Sequence, residues 1–249
     1  MFAKSGLVAI TTIQYGVNPD PDQKVRSKVF LHTARHLQSL GIPCLALAGP
    51  CPKGYMRKVR TYDVVTVQQK GIGMGVARRE AIQAGLAVFR SATHYLWLEP
   101  EKPDIAWHAI QLWDLMKTQN TSLGLFNRAN MNTYPPEQAQ YYLFCRAIAT
   151  ALLGRDIDYA FGPMILTKKS LPYFLEYAGD YGDHWDSILV PRLRVIHAKQ
   201  KVSVVEIAFQ NDPRMLEVES GKPQFIFKRI DQFATVARSL VTEWLRLNP

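Results

Sequence analysis

The chain alternates short apolar runs with longer segments in which apolar residues recur every three or four positions. Leu7-Val8-Ala9-Ile10-Thr11-Thr12-Ile13 is rich in β-branched residues and predicts a buried first strand. The stretch Tyr15 to Asp22 carries Gly16, Asn18, Pro19 and Pro21 and breaks structure. A helix is expected from about Gln23 to Leu40, because Val25, Val29, Phe30, Ala34, Leu37 and Leu40 form an apolar stripe that Gly41 ends. Pro43 to Ala48, Tyr62 to Gln68 and His94 to Leu98 predict three more strands. Helices are expected over about Val76 to Phe89 and Ile105 to Thr118. This alternation implies parallel strands joined by right-handed crossovers, hence an α/β fold with helices flanking a mostly parallel central sheet.

Beyond Phe126 the rhythm changes. Asn127 to Gln138 is polar and contains Pro135-Pro136, so a loop lying over a site is expected there. Tyr141 to Leu153 predicts a helix, Ala160 to Leu166 a strand, and Ser170 to Tyr177 another helix. The loop Gly179 to Asp183 leads to a helix near Trp185 to His197 and a strand over Val202 to Phe209. A tail helix, about Ile230 to Leu247, places Phe233, Val236, Leu240 and Trp244 on one face. No repeat or linker interrupts the pattern. The expectation is one domain over 1–249, with a core of about 7–210 and a C-terminal extension of about 211–249.

Composition narrows the class. At 249 residues, 47% hydrophobic and 20% charged, the chain can bury a large core like an ordinary globular protein. No apolar run reaches the roughly 18 residues that span a bilayer. Met1 to Gly6 leads into a strand-like stretch rather than a signal-peptide core. Cys44, Cys51 and Cys145 lack CxxC spacing and indicate neither a disulfide framework nor a zinc site, so a cytoplasmic location is expected. A net charge of +9 favours anionic partners. The basic residues are scattered, however, and match no nucleic-acid-binding motif, so nucleic acid is not the expected partner. A homo-oligomer is left open.

Several clusters carry candidate chemistry. The apolar run Tyr95-Leu96-Trp97-Leu98 ends in Glu99-Pro100-Glu101-Lys102. In an extended segment, side chains two apart face one side, so Glu99 and Glu101 could meet one pocket at the carboxyl edge of the sheet. Two such oxygen ligands could hold a hard divalent cation against a diphosphate. A charged loop after a core strand is the plainer alternative. Gly71-Ile72-Gly73-Met74-Gly75 follows a strand and opens a helix, the setting for an anion at a helix N-terminus, although it matches neither GxGxxG nor a P-loop. Arg78 and Arg79 follow in its first turn, and one of them is expected to face a phosphate.

Asp183-His184-Trp185-Asp186 gathers two carboxylates and an imidazole at a helix start. Asp183 suits a cap, and either Asp183 or Asp186 suits a base or substrate anchor. His184 could serve as metal ligand or acid/base group. His32 and His36 are four apart but lack HExxH context and read as surface or half-buried residues. Cys51 lacks an arguable partner for a nucleophile.

The order of these pieces resembles the nucleotide-diphospho-sugar transferase fold of GT-A-type glycosyltransferases, including the family-2-like and mannosylglycerate-synthase-like groups. The likeness spans about 7–210 and rests on pattern. It implies a glycosyltransferase that moves a sugar from a UDP- or GDP-linked donor to an unidentified acceptor. It implies Mg²⁺ or Mn²⁺ held at Glu99 and Glu101, with His184 as a further candidate ligand. It places the nucleotide near Thr11, Thr12 and Gly49, with Gly71, Gly73 and Arg78 near the donor. Asp183 or Asp186 would lie toward the acceptor or the reacting sugar. Here Glu-Pro-Glu stands where such families carry Asp-x-Asp, and Lys102 can compete for the carboxylates, which leaves a metal-independent enzyme open. Two alternatives also stay open: a sugar-phosphate nucleotidyltransferase, and a non-catalytic nucleic-acid- or partner-binding protein on the same scaffold.

Overall fold

Among residues 6–249, which the computed structural model describes, seven strands form one sheet in the order β3-β2-β1-β4-β6-β5-β7. The lead-in residues 1–5 lie outside the described residues. The strands are β1 (Leu7–Ile13), β2 (Cys44–Ala48), β3 (Val64–Gln68), β4 (His94–Trp97), β5 (Leu123–Arg128), β6 (Met164–Thr167) and β7 (Val202–Ile207). β1 pairs parallel with β2 and β4, β2 with β3, and β5 with β7. β6 runs antiparallel to both β4 and β5, the one reversal in an otherwise parallel set. An apolar run buried on both faces carries no mark of direction, so this reversal is invisible in the pattern.

The helices are α1 (Pro21–Ser39), α2 (Tyr55–Arg60), α3 (Met74–Val88), α4 (Ile105–Gln119), α5 (Pro136–Leu153), α6 (Leu171–Leu175), α7 (Asp186–His197), α8 (Pro213–Glu219) and α9 (Pro223–Leu247). Asp20 opens α1 with a capping box: its carboxylate accepts from the Gln23 amide, and the Gln23 side chain accepts from the Asp20 amide. Two expectations shift, and two short helices are added. α5 starts at Pro136 rather than Tyr141 and α9 at Pro223 rather than Ile230, because a proline supplies a ready first turn ahead of the apolar periodicity. α2 and α8, of six and seven residues, are too short to show a period.

Helices cover both faces of the sheet, so β1 and β2 are almost wholly buried. Gly85 lets α3 approach β1, since a Cβ there would lie 2.3 Å from Ile10 Cδ1. α9 packs along α5 and α7 and lays Val236 and Leu240 into the core. Among the described residues no helix is long and apolar enough to cross a membrane.

Candidate functional site

The parallel strands aim their carboxyl ends at a cleft of about 490 Å³, the size and position at which open α/β sheets take small ligands. Its near wall is the end of β1 and the chain after it (Thr12, Gln14, Tyr15), Gln69 after β3, and the first turns of α3. Its floor is the segment after β4, from Glu99 to Lys102. Tyr134, Gln138 and Tyr142 form the opposite wall, and α8 and α9 close one end with Glu219, Lys228 and Arg229.

Glu99 and Glu101 both line this cleft, in unlike environments. Gly162 cradles Glu99, because a Cβ on that glycine would stand 2.2 Å from Glu99 Oε1. Glu99 Oε2 lies 3.2 Å from the Lys102 ammonium, with the carboxylate side chain 36% exposed. Burial alone would raise its pKa, but Lys102, Arg78 and Arg128 outweigh burial and hold it below the usual carboxylate value. For Glu101 burial prevails over the pull of Arg26, and the charge of Glu99 adds to it, so its pKa is raised.

Lys102, only 8% exposed, is enclosed by the rings of Tyr134, Phe161 and Phe209, with Nζ 5.2–5.6 Å from their centroids. Its Nζ also lies 3.4 Å from Tyr134 Oη. Burial works against this charge, but Tyr134 and Glu99 outweigh burial and hold the ammonium above the ordinary lysine range. Behind it Arg128 is fully buried, paired with Asp158 through contacts of 2.6 and 2.8 Å, and packed over Tyr142 at 3.7 Å. Trp97 Nε1 and Gln138 Oε1 are buried without a hydrogen-bond partner in the protein, and both residues line the cleft.

Arg78 faces the cleft, while Arg79 turns away into a two-pronged ion pair with Asp183 at 2.7 and 2.8 Å. Arg78 donates to the His184 carbonyl at 2.5 Å and to Ser187 Oγ at 2.7 Å. Asp183, at φ 59°, accepts the Gly75 amide on its carbonyl at 2.8 Å. Asp186 is fully buried and accepts from Tyr177 Oη at 2.6 Å and from the His184 amide at 2.7 Å. Neither aspartate is among the cleft-lining residues, and neither is His184, which is exposed. Of this cluster only Trp185 lines the cleft, and the His184 carbonyl touches it indirectly by holding Arg78.

Thr12 and Gly73 line the cleft, but Thr11 is buried and does not. Gly49 lies just behind the wall, where a Cβ would sit 3.0 Å from Gln69 Oε1 and 3.2 Å from the Gln14 side chain. Gly71 is drawn off: its amide donates to Glu80 Oε1 at 2.8 Å, and the Lys70 amide donates to Glu80 Oε2 at 3.0 Å. Two amides at the start of this loop are thus held by an internal carboxylate, and that of Gly75 by the Asp183 carbonyl. His36 Nδ1 contacts the Pro103 carbonyl at 3.2 Å, and His32 is exposed. Cys51 is half-buried, its thiol pKa raised by burial.

Sequence reasoning missed Arg26, Gln14, Gln69 and the α8–α9 residues. Arg26 pairs with Asp22 at 2.9 Å and with Glu219, which also receives Arg229 at 3.0 Å. Only the Arg26–Asp22 spacing of four residues was readable in advance.

The donor set can be tested for a divalent cation. Glu99 is already engaged by an ammonium, His184 does not line the cleft that both glutamates line, and among the described residues no group of three metal-ligating side chains converges. These residues do not make a protein-built metal site.

No protein-family model and no curated protein sequence matches the chain. Solved structures do. Mycobacterium tuberculosis glucosyl-3-phosphoglycerate synthase superposes with a TM-score of 0.64 at 9% identity, covering 97% of this chain and 80% of that one. The same enzyme with Mn²⁺, UDP-glucose and glycerol 3-phosphate superposes at 0.61, with 9% identity, 97% of this chain and 79% of that one. A protein of Desulfovibrio desulfuricans G20, assigned as a nucleotide-diphospho-sugar transferase, superposes at 0.50 with 11% identity, covering 94% of this chain and 98% of that one. The chain has the nucleotide-diphospho-sugar transferase (GT-A) fold.

Proposed function

We propose that this chain is a glycosyltransferase that moves a sugar from a UDP- or GDP-linked donor to an acceptor hydroxyl. The observation that supports it most is the meeting, at the carboxyl ends of parallel strands in this fold, of Arg78, Lys102 and an acidic pair in a cleft of ligand size. In this reading the nucleobase lies against Gln14 and Gln69, whose side chains pack over Gly49. The diphosphate lies between Arg78 and Lys102, and the sugar lies toward Trp97 and Gln138, whose unpartnered polar atoms suit hydroxyl groups.

The reaction breaks the bond between the anomeric carbon and the diphosphate oxygen, and the nucleoside diphosphate departs with the electron pair. A new bond forms from the acceptor oxygen to that carbon, and the acceptor proton is released. Fixed cations beside the departing diphosphate stabilise the charge that develops there. Asp183 and Asp186 serve as positioning residues: they fix the turn before α7, whose His184 carbonyl and Ser187 hydroxyl hold Arg78. The loop between β5 and α5 contributes a wall of the cleft through Tyr134, and the first turn of α5 adds Gln138.

The test is nucleoside diphosphate release from a panel of UDP- and GDP-sugars, with Arg78→Ala alongside. Release by the wild-type chain, reduced about 10²-fold or more in the variant as for loss of one charge-stabilising donor, is expected. No release and no thermal stabilisation by any nucleotide of the panel would sink the reading.

A further inference from the structure

We infer that the Lys102 ammonium takes the place of a divalent cation in this cleft, lying against the donor diphosphate as a fixed positive charge, so that donor binding needs no metal. The inference rests on the nucleotide-sugar reading above. It starts from the ammonium's own valence. A lysine ammonium has three donors. Glu99 Oε2 at 3.2 Å and Tyr134 Oη at 3.4 Å accept two of them, and the residue lines the cleft, so the third is left for a ligand oxygen.

The charge is held in place. Rings of Tyr134, Phe161 and Phe209 surround Nζ, which removes the freedom that makes surface lysines poor stand-ins for a coordinated ion. Arg78 supplies a second cation lining the same cleft, anchored on the His184 carbonyl and Ser187.

Charge balance points the same way. Arg26, Arg78, Lys102, Lys228 and Arg229 line the cleft, against the carboxylates Glu99, Glu101 and Glu219. Cations are therefore in excess before any ligand enters, which suits a bare diphosphate. A divalent ion on Glu99 would add to that excess. On Glu99 Oε2, with a metal–oxygen bond of about 2.1 Å, it would also lie at most roughly 5.3 Å from the Lys102 nitrogen, where like charges repel. The M. tuberculosis synthase holds Mn²⁺ with its UDP-glucose. In this chain, Glu99 serves to orient Lys102 rather than to ligate.

Isothermal titration of UDP and of GDP into the full chain, in EDTA and again with excess Mn²⁺, tests this without any substitution. The expected result is binding in EDTA with an affinity that Mn²⁺ leaves within about twofold. Lys102→Met weakens that binding about tenfold or more, the scale of one charge-assisted contact, while Lys102→Arg retains most of it. Thermal melts of both variants identify any that fail to fold. Binding that appears only with Mn²⁺ overturns the inference and leaves the glycosyltransferase reading standing, as does a folded Lys102→Met variant that binds like wild type in EDTA. No nucleotide bound in either condition overturns both.

Discussion

Two glutamates separated by one proline have pKa values displaced in opposite directions, and the cause is local. Glu99 sits between cations that hold it ionised, whereas Glu101 is governed by burial. The acidic pair itself was legible, because period-two geometry at a strand end needs no tertiary information. Of the partners that set each carboxylate's state only Lys102 was, since Arg78, Arg128 and Arg26 come from distant segments. The same dependence on remote partners appears at Glu243, whose carboxylate is buried and accepts from Arg194 at 2.7 Å, Arg246 at 2.6 Å and Tyr181 at 3.0 Å. Burial opposes its ionisation, but these hydrogen bonds outweigh burial and lower its pKa from 4.5 to about 2. A folded pKa below the unfolded one contributes stability that is fully present above pH 4.5 and is lost as the pH falls toward 2. Thermal melts of wild type and Glu243→Gln should therefore differ most above pH 5 and converge as the pH falls toward 2. A gap that stays constant with pH would assign the loss to packing instead.

At the scale of elements, strands and long helices were readable because burial imposes a period, and the short α2 and α8 were not. The direction of β6 was hidden, as both faces of that strand are covered. The Gly-rich loop shows how an element can be read correctly in kind and differently in use. It does open α3, yet Glu80 occupies its first amides and Gly75 serves a neighbouring loop. A Cβ at Gly75 would stand 1.9 Å from Asp183 Oδ1, so this glycine lets α3 meet the turn that anchors Arg78. Gly75→Ala should cost about 1–3 kcal/mol of stability in chemical denaturation, as overpacking does, and should raise the KM for the donor through displaced Arg78. Unchanged stability would show that the turn moves aside freely, and would break the proposed link between Asp183 and the cleft.

Over the whole molecule, the chain assembles one cleft from ends that are far apart in sequence. Arg26 from α1, Glu219 from α8 and Arg229 from α9 form an ion-paired seam that closes the cleft beside Glu101. The segment beyond residue 211, read from sequence as an extension, is therefore part of the wall. Its contribution was hidden because Glu219, Lys228 and Arg229 look like ordinary surface charge until the fold turns them toward α1. The net charge of +9 is likewise uninformative until cations are found concentrated around one cleft. A crystal structure of the chain with UDP or GDP, obtained in EDTA, decides whether this cleft holds the donor without a metal. The diphosphate is expected within hydrogen-bonding distance of Lys102 Nζ and Arg78, with the base against Gln14 and Gln69. A nucleotide bound elsewhere, or a cleft that stays empty at saturating nucleotide, would contradict that placement.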